Sequence, residues 1–246
     1  MYSPRLKFCC IGSQAEASLA IQAGADALGL VGAMPSGPGI IPDAVIRFIA
    51  LEVPAGVAAF LLTQERTAPA IAEHVERCAV STVQIVNHVE PRELALLRKM
   101  IPSLRIVQVI HVEDAAALDL LRGYEAFAHA FLLDSGSPSA PTPLLGGTGR
   151  VHDWSVSAEF VRRARRPVFL AGGLTAANVA QAIRMVRPFG LDICSGVRTA
   201  GRLDAAKLHA YVQAARAAPC LGDVDLGSQE GDEAADRVAA HSGPAA

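Results

Sequence analysis

The sequence predicts an α/β protein, a (β/α)8 TIM barrel formed by residues 5–216 as one domain, followed by a disordered tail at residues 217–246. Eight apolar runs alternate with eight segments of helical periodicity, and this alternation is typical of a parallel sheet. The length of 246 residues suits one barrel of eight units. Hydrophobic residues make up 51% of the chain, as buried parallel strands covered by helices require.

Each predicted strand is a short run rich in valine, isoleucine, leucine or phenylalanine. The strands are predicted at residues 6–11, 26–31, 56–62, 82–86, 104–110, 130–134, 167–171 and 190–194. The helices are predicted at residues 14–23, 42–50, 67–79, 91–100, 114–122, 155–165, 175–186 and 204–216. Pro42 and Pro91 stand at predicted helix starts, and Thr175 is a predicted N-cap of the seventh helix.

The composition excludes several classes of function. No apolar stretch reaches the roughly 18 residues that suggest a membrane span, and the N-terminus lacks the apolar region of a signal peptide. Five cysteines, an odd number without metal-binding spacing, are typical of a reducing compartment. We therefore expect a cytoplasmic protein with no metal site and no membrane partner.

The charge distribution sets the tail apart from the barrel. The tail holds six of the 24 acidic residues and one of the 22 basic ones, so the remainder carries 21 basic against 18 acidic residues. This excess is too small to indicate nucleic-acid binding, although it is compatible with a pocket for a small anion. The tail is also poor in large apolar residues, which predicts disorder.

Two glycine-containing turns predict a phosphate site. Gly172 and Gly173 follow the seventh strand, and Ser195 and Gly196 follow the eighth. Glycine lets backbone N–H groups approach an anion closely, and a helix N-terminus adds a favourable dipole. Turns after the last two strands are where a (β/α)8 barrel commonly holds phosphate. The need for a tight turn would explain either pair of residues by itself. It would not explain why both pairs stand at the ends of consecutive strands.

Other candidate site residues lie near strand ends, where barrel active sites form. Strand alternation turns only one of Cys9 and Cys10 toward the barrel interior without deciding which, and a buried cysteine is often simply a small apolar residue. Asp134 ends the sixth strand, where it faces the barrel mouth or caps the next loop. His88 and Arg198 are candidate ligand contacts, although a surface position also explains each.

Taken together, the residues resemble the phosphoribosylanthranilate isomerase family over roughly residues 5–216. The matching stretches are Lys7-Phe8-Cys9, residues 23–31, Val83-Gln84-Ile85, Leu133-Asp134-Ser135, Gly146-Gly147-Thr148-Gly149, Asp153-Trp154, residues 170–174 and residues 192–197. Their order and spacing agree with that family along the whole barrel, which makes the combination far more specific than any single motif.

The resemblance implies an aldose–ketose isomerase of tryptophan biosynthesis. It would carry out the Amadori rearrangement of N-(5-phosphoribosyl)anthranilate to 1-(2-carboxyphenylamino)-1-deoxyribulose 5-phosphate. In this family's pattern Cys9 matches the general base and Asp134 the general acid, and the two glycine turns anchor the phosphate. Gly147, Arg198 and His88 are the further substrate-binding candidates. The resemblance implies no cofactor, a small phosphorylated sugar-derived substrate, and a monomer or homodimer.

Some positions depart from the family's pattern. Cys10 stands where the family has glycine, and residues 35–39 carry no charge where the family has an arginine that binds the anthranilate side. Arg150 or Arg198 is the candidate replacement for that arginine. Two alternatives therefore remain: a related barrel isomerase acting on another phosphorylated sugar or aminosugar, and a phosphate-ligand binding protein without catalysis.

Overall fold

The computed structural model of the protein describes residues 3–35, 37–136 and 151–218. Eight parallel strands close into a barrel in the order β1 to β8, which confirms the predicted fold. The strands are β1 Arg5–Phe8, β2 Ala27–Val31, β3 Ala58–Thr63, β4 Thr82–Ile85, β5 Arg105–His111, β6 Ala130–Asp134, β7 Val168–Leu170 and β8 Gly190–Ile193. The helices are α1 Gln14–Gln22, α2 Asp43–Glu52, α3 Ala68–Cys78, α4 Pro91–Met100, α5 Ala117–Tyr124, α6 Trp154–Arg163, α7 Val179–Val186 and α8 Ala205–Ala217.

Most element boundaries agree with the sequence, and the seventh helix shows the clearest difference. It begins at Val179 rather than residue 175, so Thr175 is not its N-cap. The Thr175 N–H instead donates to Asn178 Oδ1 at 2.8 Å, and its carbonyl accepts the Val179 N–H. This local hydrogen bonding holds the chain in a turn ahead of the helix, a role for which asparagine is suited.

The segment after β8 contains structure that the sequence did not predict. A 3₁₀ turn spans Ser195–Val197, and strands β9 Arg198–Thr199 and β10 Arg202–Leu203 form a small hairpin. These elements are too short to leave a periodic signal. The α8 helix runs to Ala217, one residue past the predicted barrel boundary, and Ala218 is buried. Gly147 and Arg150 lie outside the described residues. So do residues 219–246, which are the predicted tail without its first two residues.

Alternation along the strands separates two apolar layers. Leu6 and Phe8 of β1 belong to the large layer between the strands and the helices. Inward-facing residues such as Val109 and Phe169 form a smaller cluster inside the barrel. Because successive strand residues point to opposite faces, the residues between the outward ones, such as Lys7, face the barrel interior. Within the described part of the chain, no helix is long and apolar enough to cross a membrane.

Candidate active site

A cavity with about 800 Å³ of empty space, counted with its open mouth, lies at the carboxyl ends of the barrel strands. Cys9, Asp134 and Asp192 line it, together with the turns after β7 and β8. This is the face on which (β/α)8 barrels place their active sites, because the βα loops converge there. The polar groups share the wall with apolar side chains such as Val86 and Leu62, which limits the access of water.

Asp192 in the cavity wall forms a buried ion pair with Lys7, which lies behind the wall. Lys7 Nζ lies 2.9 Å from Asp192 Oδ1, with the lysine fully buried and the aspartate 7% exposed. Burial alone would lower the pKa of Lys7, but the charges of Asp192 and Cys9 and a hydrogen bond with Asp192 raise it above its ordinary value. The ammonium group therefore stays charged, and it adds positive charge beside the Cys9 sulfur.

Gly29 of β2 makes room for this arrangement. A Cβ at Gly29 would lie 2.6 Å from Cys9 Sγ and 3.0 Å from Lys7 Nζ. The thiol and the ammonium group are therefore close neighbours above the same glycine. A residue with a side chain at this position would displace one of them.

Asp134 lies at the end of β6, and its side chain reaches the cavity. Its Oδ1 accepts the Ser135 N–H at 2.8 Å. Loss of solvation raises the pKa of Asp134, and the nearby Asp192 carboxylate acts in the same direction, although the Ser135 N–H opposes them. The carboxyl group is thus able to hold a proton nearer to neutral pH than an exposed aspartate would.

Both cysteines of the first strand line the cavity, contrary to the expectation that only one faces inward. The strand ends at Phe8, and Cys9 still pairs with β8 through its N–H to Ile193 O at 2.8 Å. Cys10 has φ 62°, a left-handed conformation that breaks the alternation and turns its side chain back to the cavity. The backbone at this position therefore has the conformation for which glycine is best suited.

Arg198 lies behind this turn and not in the cavity wall. Its guanidinium is paired with Glu16 at 3.0 Å and donates to the carbonyl oxygens of Cys9, Cys10 and Gly201. Only 8% of the Arg198 side chain is exposed. The residue therefore braces the backbone that carries the two thiols, whereas the sequence offered only a ligand contact or a solvated side chain.

The two glycine turns meet at one side of the cavity. Gly172 and Gly173 have φ of 83° and 62°, which only glycine adopts without strain. A Cβ at Gly196 would collide with the carbonyl oxygen of Leu174, so the second turn touches the first. All four predicted phosphate-site residues are thus together, with Ser195 also in the cavity lining. Turns of this kind are able to present main-chain N–H groups to an anion.

The remaining predicted residues lie elsewhere. His88 is exposed beside the ring of His111, with ring centroids 5.4 Å apart, and it is not among the residues that line the cavity. Among the described lining residues none is lysine, arginine or histidine.

Sequence reasoning missed three residues near the chemistry. The first is Lys7, and its signal in the sequence is a lysine within an otherwise apolar strand, which indicates a buried ion pair. His111 pairs in register with Asp134 and donates from Nε2 to Val86 O at 2.9 Å, while its buried Nδ1 has no hydrogen-bond partner among the described residues. Cys194 lines the cavity next to Cys10.

A second cluster, outside the cavity, contains side chains that could ligate a metal. The ligand atoms of Asp43, His74 and Cys78 lie within 4.8 Å of one another. They already have protein partners, because His74 contacts Asp43 at 3.2 Å and Thr63 at 2.9 Å, and Arg77 pairs with Asp43 at 2.8 Å. This network joins α2 to α3 and gives Asp43 and His74 protein partners.

The fold and the cavity define the class of (β/α)8-barrel proteins with polar groups and glycine-containing turns at the carboxyl face. Residues 6–214 match the family model described as N-(5'-phosphoribosyl)anthranilate (PRA) isomerase. The chain belongs to this family.

Individual relatives agree with the family model. An N-(5'-phosphoribosyl)anthranilate isomerase of Methanocella arvoryzae is 34% identical over 198 residues, covering 80% of this chain and 91% of its own. One of Trichlorobacter lovleyi is 37% identical over 216 residues, covering 87% and 98%. A solved isomerase in complex with reduced 1-(o-carboxyphenylamino)-1-deoxyribulose 5-phosphate is 26% identical, with a TM-score of 0.70 and coverage of 86% and 98%.

Proposed function

We propose that this chain catalyses the Amadori rearrangement of N-(5-phosphoribosyl)anthranilate to 1-(2-carboxyphenylamino)-1-deoxyribulose 5-phosphate in tryptophan biosynthesis. The observation that carries the proposal is one cavity lined by a thiol, Cys9, a carboxyl group, Asp134, and the two glycine turns. The chemistry needs an acid, a base and an anchor for a terminal phosphate, and these groups supply all three.

Asp134 is the general acid in this mechanism. It donates a proton to the ribose ring oxygen, the bond from that oxygen to C1 breaks, and a Schiff base forms with the substrate nitrogen. The raised pKa of the Asp134 carboxyl group supports this role, because a larger fraction of the group then carries a proton to donate.

Cys9 is the general base. Its thiolate removes the proton from C2 of the Schiff base, which gives an enolamine, and the enolamine tautomerises to the ketone. The Lys7 ammonium group lies beside this sulfur, because a Cβ built at Gly29 would be 2.6 Å from Cys9 Sγ and 3.0 Å from Lys7 Nζ. Lys7 is itself held by Asp192, so these two residues act as positioning residues for the base.

The phosphate anchor lies at Gly172, Gly173, Ser195 and Gly196. Binding of this remote group orients the reacting carbons between Cys9 and Asp134 without taking part in the chemistry. Cationic side chains are absent from the described lining residues, so main-chain N–H groups supply the attraction for the dianion.

The wall around Met34 and Pro38 supports a second candidate, an isomerase of the same reaction type for a different phosphorylated aminosugar. The lining residues of the β2–α2 loop are uncharged, and Arg198 is already paired with Glu16. A lost charge-assisted hydrogen bond to the anthranilate carboxylate would cost about 1.5–3 kcal/mol. Arg150 remains the candidate partner for that carboxylate in the first proposal.

The experiment that tests the roles of the two residues compares native protein with Cys9→Ala and Asp134→Asn. We expect each substitution to reduce kcat by about a thousandfold, as for loss of a general acid or base. Inorganic phosphate should still inhibit residual turnover, or bind in calorimetry, with native affinity. Turnover of phosphoribosylanthranilate that survives both substitutions would reject these residues as base and acid. If the protein turned over other aminosugar phosphates, and the anthranilate carboxylate made no difference to the rate, the second candidate would be favoured.

The partners follow from this proposal. The chain binds a small phosphorylated substrate, it has no nucleic-acid or membrane partner, it works in the cytoplasm, and it is a monomer or a homodimer. Sedimentation of the purified chain at several concentrations distinguishes the two states.

A further inference from the structure

The cavity wall contains a pair of thiols that the proposed reaction does not use. Cys10 Sγ and Cys194 Sγ are 2.7 Å apart, although both cysteines are free. This distance lies between a disulfide bond of about 2.05 Å and the ordinary contact of two non-bonded sulfur atoms. Both residues line the cavity, so a small molecule that enters it reaches them.

The barrel backbone brings these two residues together. Phe8 of β1 pairs in register with Ile193 of β8, and Cys9 continues the pairing through its N–H to the Ile193 carbonyl. This register sets Cys194 opposite Cys9, and Cys10 is the next residue along the chain. The left-handed φ of Cys10 then turns its thiol toward Cys194.

The surroundings make one of the two sulfurs the nucleophile. The close Sγ–Sγ contact with Cys10 lowers the pKa of the Cys194 thiol; burial opposes this shift, and the positive charge of Arg198 adds to it. Cys10 keeps its proton, because the bond to Cys194 and a contact with Cys9 hold it there. The pair therefore combines a thiolate with a neighbouring thiol, the arrangement of a redox-active cysteine and its resolving partner.

We propose that Cys10 and Cys194 are a modification site, at which a hydroperoxide forms a reversible disulfide between β1 and β8. The Cys194 thiolate attacks one peroxide oxygen and breaks the O–O bond, which gives a sulfenic acid and, after protonation of the leaving oxygen, water or an alcohol. Cys10 then attacks the sulfenic sulfur, its proton leaves with the hydroxyl group as a second water, and the S–S bond closes. Two thiols are oxidised and one peroxide is reduced. A dithiol reductant reverses the step by thiol–disulfide exchange.

The bond is expected to reduce turnover, an effect that rests on the proposed function. Cys10 directly follows Cys9, and Cys194 directly precedes Ser195 of the phosphate turn. Gly39 also packs against Cys10, since a Cβ there would lie 2.5 Å from Cys10 Cβ. Drawing the two sulfurs together therefore shifts the base and the phosphate turn, and a displacement of about 1 Å is able to cost about a hundredfold in rate.

The test exposes the full chain to hydrogen peroxide, blocks free thiols, and maps tryptic peptides by mass spectrometry without reduction. We expect a linked pair joining the peptide that begins at Phe8 to the peptide that contains Cys194. Dithiothreitol should separate the pair and restore a kcat/KM that peroxide had lowered by about tenfold or more.

Matched variants identify the partners independently of turnover. The linked pair should disappear in Cys10→Ser and in Cys194→Ser, and persist in Cys9→Ser and in Cys78→Ser. Absence of the pair from oxidised native protein, its loss in Cys9→Ser, or a bridge to Cys220 instead would overturn the proposal. An inactive chain that still forms the bridge would count against the proposed function but not against this site.

Discussion

At the residue scale, the geometry around Cys9 depends on two neighbours that lie far away in the sequence. Lys7 and Asp192 are 185 positions apart, yet they form one buried ion pair beneath the thiol. A buried pair of this kind contributes little net stability, because the loss of hydration offsets the attraction. It keeps a positive charge next to Cys9, the proposed base.

Lys7→Met tests this role. The substitution leaves the Asp192 carboxylate buried without its partner, which should lower the free energy of unfolding by about 3–5 kcal/mol. The double variant Lys7→Met with Asp192→Leu should regain most of this stability while kcat stays about tenfold or more below native. Urea denaturation and steady-state kinetics check the two parts. Near-native kcat in the double variant would show that the charge is not needed by the base.

Gly29→Ala tests the close contact above the thiol. The added Cβ would lie 2.6 Å from Cys9 Sγ, so the sulfur must move. We expect kcat/KM to fall by about tenfold or more, since misplacement of a reacting group is costly. Gly123→Ala is the matched control. Gly123 lies in α5, and a Cβ there would be 3.5 Å from Pro91 Cγ, which is an ordinary contact distance. An equal fall of kcat/KM in Gly29→Ala and Gly123→Ala would contradict a specific effect of Gly29 on the position of the thiol.

Asp134→Asn should stabilise the protein at neutral pH while it removes activity. The pKa of Asp134 is raised above its ordinary value of 3.8 in the folded state, so native stability falls as the pH rises from 3.8 through the raised pKa. The gain is about 1.4 kcal/mol for each unit by which the pKa is raised. Denaturation at neutral pH and near pH 4 checks this sign. A variant that is less stable than native at neutral pH would contradict it.

Sequence reasoning proposed Cys9 and Asp134 as the reacting side chains, and the structure places both in the cavity wall, but the residues that support them were not predicted. Cys9 and Asp134 lie at strand ends, where period-two alternation and the family resemblance both apply. The turn at Cys10 depends on a single φ angle, and the bracing by Arg198 depends on contact with Glu16, which is 182 residues away. Neither feature leaves a periodic pattern in the sequence.

At the element scale, the proposed phosphate site consists of two turns that follow neighbouring strands. The β7 and β8 strands pair in parallel, so their carboxyl ends lie side by side and the turns after them touch. This arrangement was predictable, because strand order in a (β/α)8 barrel follows chain order. The hairpin of β9 and β10 was not predictable, since strands of two residues are too short to show an alternation of apolar and polar residues.

Gly173→Ala tests the first turn. Its φ of 62° is costly for alanine, and relaxation of the backbone would turn an N–H away from the anion. We expect the inhibition constant for inorganic phosphate to rise about tenfold, the effect of one lost hydrogen bond to a charged group. Gly56→Ala, with φ of 96° and nothing near its Cβ, carries similar strain far from the cavity. Gly56→Ala should lower the stability of the protein without changing its affinity for phosphate. If both variants lost phosphate affinity equally, the assignment of the Gly173 turn as the phosphate anchor would be rejected.

At the scale of the whole molecule, closure of the barrel is what turns scattered residues into a site. The ladder from β1 to β8 joins the first strand to the last, and it brings Cys9, Asp192 and the second phosphate turn to one wall. The alternation of eight strands and eight helices predicted this closure. The substrate's carboxylate partner could not be predicted in the same way, because it depends on loops rather than on the barrel.

The most direct test of the account is the loss of fluorescence from freshly generated N-(5-phosphoribosyl)anthranilate on mixing with native protein kept reduced by dithiothreitol. We predict rapid decay that is proportional to protein concentration, with 1-(2-carboxyphenylamino)-1-deoxyribulose 5-phosphate as the product. Decay at the uncatalysed rate, in protein that still binds inorganic phosphate, would contradict the isomerase assignment and leave a barrel that binds phosphate ligands without this reaction.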